Sequence, residues 1–239
     1  MGSLLSYEYK KTFSTKAIYI CSLLTFAFTI LNGILSCHST IPLGNEYLIG
    51  ILSGCSLDLV LAILIPILFC TEMDIGCIKI MIGRGYTRKN ILFSKIIMSN
   101  IYMIIIALAS FLIGIAYGSV RGVSYTNITG KHILNALLEI FVYMIIVNCS
   151  IFFSVLTQSK AFAIAASILV PALIPSILQL VEKLIKFNKL HDYWYVSFMG
   201  SLGNNILKNS EYTRIFIFTL IYNAIFITLS YLIIKRKDF

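Results

Sequence analysis

The sequence predicts an all-α membrane protein with six transmembrane helices, and three observations predict it. The first is composition: hydrophobic residues make up 59% of the 239-residue chain and charged residues 12%, against roughly 25% charged in a soluble domain. Mean hydropathy is +0.91. The second is length, because six apolar runs each approach the roughly 20 residues that cross the hydrocarbon at about 1.5 Å per residue. The third is the placing of charge: the cations flank those runs instead of forming one stripe on a soluble face. Lipid offers the backbone no hydrogen-bond partners, so the runs must be helices.

The spans fall at about 17–35, 50–70, 95–118, 133–156, 161–180 and 214–234. They take up most of the chain, which leaves one membrane domain, 1–239, and no soluble catalytic domain. Before the first span, Lys10, Lys11 and Lys16 precede an apolar run of full membrane length with no small-x-small cleavage site, so that span is expected to stay attached. Spans two and three carry the G-x-x-x-G pairs Gly50–Gly54 and Gly114–Gly118, which predict close helix approach. In span five, Pro171 and Pro175 remove two backbone donors and predict a kink. Such a kink suits a helix beside an opening gap, and equally one with no gating role. The segment 181–213 is too long and too apolar for an ordinary surface loop.

Orientation follows from cations in short loops, since Lys and Arg resist translocation. Lys10, Lys11, Lys16, Lys79, Arg84, Arg88, Lys89, Lys95, Lys160, Lys235, Arg236 and Lys237 fall on one side, twelve against seven on the other. Both termini are therefore expected in the cytoplasm. The net charge of +9 suits anionic lipid head groups rather than nucleic acid. Tyrosines and the single tryptophan, Trp194, collect near span ends as an interfacial belt.

Catalytic chemistry has little to stand on. The cysteines Cys21, Cys37, Cys55, Cys70, Cys77 and Cys149 form no C-x-x-C pair, and free Cys packs as a small hydrophobe. His38, His132 and His191 share the outer side without helical i, i+4 pairing, so neither set reads as a metal site. No P-loop, H-E-x-x-H or G-x-S-x-G occurs. The chain has no means of splitting ATP by itself, and no catalytic residue is assigned. The Asn127–Thr129 sequon reads as a chance triplet.

Two acids lie inside spans, Asp58 and Glu139, both in the outer half. A charge at the bilayer centre costs about 2.5–3.5 kcal/mol on insertion scales, so each should face protein or water. They read either as part of a substrate path able to attract a cationic peptide, or as acids hydrogen-bonded between helices or protonated in place.

The stretch TEMDIGCIKIMIGRGYTRKN, residues 71–90, stands apart. On a helix, Ile75, Ile78 and Ile82 share one side, yet Cys77, Ile80 and Met81 keep the other side apolar, with Arg84 at its end. A helix apolar on both sides should be covered twice, once by the membrane domain and once by a second protein. The alternative is a solvated inter-span loop with anchoring cations. Gly83 and Gly85 break the helix, and Thr87 is placed to cap the next one.

Glu72, Gly76, Lys79, Arg84, Gly85, Thr87, Arg88 and Lys95 make the pattern E-x-x-x-G-x-x-K-x-x-x-x-R-G-x-[ST]-R, followed by an apolar residue and S-K. It resembles the coupling-helix region of ABC-2 type transporter permeases, closest to the short permeases of bacitracin and lantibiotic resistance. Gly76-Cys77 stands where Gly-Thr is frequent in that family. The resemblance implies a permease subunit in a bacterial plasma membrane, paired with an identical or homologous permease and served by two cytoplasmic ATPase subunits. ATP and Mg would bind on the partner, and this chain would hold no cofactor of its own. It implies that Glu72, Gly76, Lys79, Met81, Arg84, Gly85 and Arg88 couple the chain to the ATPase; Asp58, Glu139, Pro171 and Pro175, read from their own chemistry, are the candidates for the substrate path. It further implies that 1–16 is an amphipathic helix on the inner surface, 71–90 the coupling region and 181–213 an outer re-entrant segment. Expulsion of antimicrobial peptides is the activity implied; a drug, a lipid or another peptide is the alternative cargo. Outside that resemblance, an intramembrane enzyme using Ser56, Asp58 or Glu139 and a non-transporting sensor remain open.

Overall fold

The computed structural model describes residues 2–38, 44–74, 76–125, 129–185, 190–204 and 207–236. Ile75, Asn127, Lys186, Lys189 and Lys237 lie outside them. Ten α-helices follow in order: α1 Gly2–Ser14, α2 Lys16–Ser36, α3 Gly44–Gly54, α4 Leu57–Asp74, α5 Cys77–Gly83, α6 Arg88–Val120, α7 Gly130–Thr157, α8 Lys160–Ile185, α9 Tyr195–Asn204 and α10 Asn209–Arg236. A 3-10 turn, His191–Tyr193, precedes α9. There is no strand among the described residues. Six stretches are long and apolar enough to cross a membrane: α2, Tyr47–Met73 (built from α3 and α4), α6, α7, α8 and α10.

Helix α7 is the axis of the bundle. It packs against α3, α4, α6, α8, α9 and α10. Its apolar window is 67% buried, whereas that of α8 is 11% buried. Span five is thus laid against the bundle along one edge, with Leu169, Leu173, Ile177 and Leu180 facing outward.

Span two departs from the uninterrupted run expected. The helix stops after Gly54 and restarts at Leu57, with Ser56 left-handed at φ 49°. Apolar content is blind to a single residue's dihedral, and Gly54-Cys55-Ser56 is where the chain turns. The expected close approach is present on α6: Gly114 lies against Ile51, and Gly118 against Tyr47 and Tyr125. The Tyr47 hydroxyl donates to the Gly114 carbonyl at 3.1 Å, and a Cβ at 114 would stand 2.6 Å from the Ile51 side chain. Of the other pair, Gly54 meets Asn32 while Gly50 faces open space.

Helix α8 runs through both prolines. Pro175 has no N–H to give the carbonyl four residues earlier, that of Pro171. The Trp194 indole N–H takes that carbonyl at 3.2 Å, so the 3-10 turn is pinned to span five where its ladder is open.

Candidate functional site

Helix α5 owes its position to one glycine at each end. Gly76 is left-handed at φ 74° and turns the chain out of α4, and Gly85, at φ 87°, turns it into α6. Thr87 caps α6 as expected, its hydroxyl accepting the Asn90 N–H at 3.3 Å. Between these turns α5 is held on one face. Ile78 is buried, and Met81 joins Leu4 of α1 and Ile91 of α6 in a small apolar cluster.

Beneath α5 lies a feature that reading by segments missed. Leu4, Glu8 and Thr12 form the buried stripe of α1 at i, i+4, i+8 spacing, which carries a carboxylate into the bundle. There Lys95 Nζ pairs with Glu8 at 3.0 Å and with Glu72, and Glu72 pairs in turn with Lys11. The Lys95 and Glu72 side chains are 5% and 2% exposed, and the Lys95 ammonium stands 5.5 Å from the Phe69 ring centre. Lys95, counted among loop cations, is therefore an internal residue of α6. The cues in the sequence were Glu72 and Lys95 at the two ends of the quoted pattern and the i, i+3 spacing of Glu8 and Lys11.

This arrangement sorts the residues expected to meet a partner. Lys79, Arg84 and Gly85 are exposed, as is Ile80 at 55%; Lys79 with Gly83 and Ile80 with Arg84 stand one turn apart on the free face. Glu72 and Met81 turn inward, one into the ion cluster and one into the Leu4–Ile91 cluster, because α1 covers the face that they share. They hold α5 from behind. Arg88 bridges the start of α6 to the end of α10, donating to the Lys235 carbonyl at 3.4 Å. An open groove of about 790 Å³ runs between α1 and α5, lined by Leu4, Tyr7, Cys77, Ile80, Arg84 and Tyr86 among others. Partial burial, followed by the nearby Cys77 and Glu8, raises the Tyr7 phenol above its ordinary pKa.

The residues expected along a substrate path divide as well. Asp58, in the first turn of α4, and Pro171 of α8 line one cleft of about 510 Å³ with Ser167, Tyr195 and Met199. Pro175 does not line it, and neither does Glu139, which is buried in α7. His132 caps α7 and His191 pairs with Glu182 at 3.0 Å. No group of three or more metal-ligating side chains occurs among the described residues.

Six stretches able to cross a membrane, with a short helix exposed between α4 and α6, make a multi-pass membrane protein. Residues 47–239 match the family described as ABC-2 family transporter protein, and the chain belongs to that family. It is the membrane permease of an ABC transporter, not its ATPase; permeases of this family generally work with a cytoplasmic ABC ATPase. No curated protein matches it.

Proposed function

We propose that α5 is the coupling helix of this permease and that its free face, Lys79, Ile80, Gly83 and Arg84, seats in a groove of the ATPase. One observation carries this reading: an exposed isoleucine between two cations stands on a helix whose opposite face is held by Met81 and Ile78. Gly76, Gly85 and Arg88 set its angle to spans two and three, while Glu72 fastens its root to α1 and α6. ATP binding, with Mg, closes two ATPase subunits, and the coupling helices move with them as rigid bodies. The cationic end, with both termini, is then the cytoplasmic side of a bacterial plasma membrane.

The thin burial of α8 supports a second permease, identical or homologous, against span five. The Asp58–Pro171 cleft lies beside that uncovered span, on the outer half in this orientation, and forms the substrate path with Pro175 above it. An anionic cleft within apolar walls suits a cationic, membrane-inserting peptide, and we assign the expulsion of antimicrobial peptides of the lantibiotic or bacitracin type. The 71–90 pattern supports the same substrate class. Expressing the chain with its ATPase in a sensitive bacterium tests it. Inhibitory concentrations should rise for those peptides; a rise only for drugs or lipids transfers the permease to that cargo.

A further inference from the structure

His132, Asn135, Glu139 and Tyr143 follow one another on α7 at spacings of three, four and four, so they form one stripe. All four are buried. The stripe faces the two short helices: the Asn135 amide donates to the Leu202 carbonyl of α9 at 3.1 Å, and the Tyr143 hydroxyl to the Leu52 carbonyl of α3 at 2.8 Å. Midway between these bonds, Glu139 is 1% exposed, and its Oε1 has no hydrogen-bond partner. At the outer start, His132 Nδ1 accepts the Thr129 N–H at 3.1 Å, and Nε2 is the ring nitrogen left over. That nitrogen is also buried without a partner.

Among the described residues, no cationic side chain pairs with Glu139. Cys55 and Asp58 stand at the break in span two, within electrostatic reach of Tyr143, and Tyr195 is the one titratable residue of α9. Helices α6 and α8 carry their charges near their ends. Arg214 of α10 lies near the same level, since Phe216 stacks on Phe141 at 5.5 Å, but its guanidinium sits over the Tyr193 ring. A carboxylate enclosed without a cation is strongly disfavoured. A carboxylic acid is not, and it can donate as well as accept.

We infer that Glu139 is a proton-binding site whose proton holds α3 and α9 against α7, reached from the outer face past His132 and Asn135. The step is a plain transfer: the Glu139 carboxylate takes H⁺ from hydronium and leaves water, and the reverse frees it. Packed α3 and α9 require the acid; the ionised group requires water and therefore their separation. Proton release and opening of the outer end are linked, so raising pH on that side favours the open form. Broken spans are where other transporters bind coupling ions, and α3–α4 is such a break. The side called outer follows the orientation proposed above; the site itself does not depend on it.

The test uses the full chain in phosphatidylcholine–phosphatidylglycerol vesicles. Infrared spectra should contain a protonated-carboxyl band that moves in D₂O and is lost in Glu139→Gln. Amide exchange of 44–54 and 195–204, corrected for intrinsic rates, should quicken as pH rises in wild type and stay flat in the variant. A missing acid band overturns the proposal even if Glu139→Gln fails to fold. Identical pH profiles overturn it too, and protection restored at high pH by sodium but not choline replaces the proton with a metal cation.

Discussion

Lys95 of α6 and Glu72 of α4, 23 residues apart, close an ion pair whose side chains are almost fully enclosed, and Glu8 of α1 approaches the same ammonium from 87 residues away. Three helices thus meet on one cation at the root of α5. The cluster ties α4 and α6 to α1 beside the direct contacts that α5 makes with both. Span one is drawn in as well, because Tyr102 of α6 donates to the Ile18 carbonyl at 3.2 Å.

Removing one partner of a buried ion pair leaves an uncompensated charge, at a cost of about 3–5 kcal/mol. Lys95→Met should therefore lower the melting temperature in detergent sharply. Adding Glu72→Gln should recover part of the loss, since it removes one of the two buried carboxylates left without Lys95 while Glu8 remains. A double variant no more stable than the single would show that the pair is idle.

Ile80→Glu and Arg84→Glu should leave folding unchanged, because both side chains are exposed. If α5 seats in the ATPase, each truncates a contact worth about 2 kcal/mol or more, a roughly thirtyfold loss of affinity. Co-purification and ATPase rates read this directly. Met81→Ala gives the contrasting outcome, with stability lost before coupling.

At Gly76 nothing lies within 4 Å of where a Cβ would stand, so the barrier to substitution is the left-handed backbone and not space. Gly76→Ala should cost about 1–2 kcal/mol and Gly76→Asn less, with helix content by circular dichroism unchanged. Equal stability of the alanine and asparagine variants would contradict the left-handed turn.

The Trp194–Pro171 bond offers a compensation experiment. Trp194→Phe should destabilise by about 0.5–1.5 kcal/mol by orphaning the Pro171 carbonyl. Pro175→Ala returns an N–H to that carbonyl and should rescue the phenylalanine variant, measured by thermal unfolding in the same detergent. Additive losses in the double variant would refute the exchange of donors.

Much of this architecture was legible without coordinates. Six apolar runs, the break at Gly85, the Thr87 cap and the close approach at Gly114 and Gly118 could all be read along the chain, whereas Gly83, expected to break the helix, is the last residue of α5. Each depends on neighbours a few positions away, through hydropathy summed over a span or the dihedral of one residue. The sites were less legible: Glu72 and Met81 looked like partner contacts until α1 covered them, and Asp58 and Glu139 looked alike until one lined a cleft and the other was enclosed.

The sequence by itself determined the class, a six-span helical membrane protein, because lipid forces the backbone to satisfy itself and apolar runs of about 20 residues do so as helices. Tertiary structure alone decided which side of each helix became interior. It placed Glu8, Glu72 and Lys95 together, broke span two at Ser56 and set Trp194 on the carbonyl freed by Pro175. Those outcomes turn on contacts between faces far apart in sequence, where the cost of a buried charge or an open carbonyl is settled only once its partner arrives.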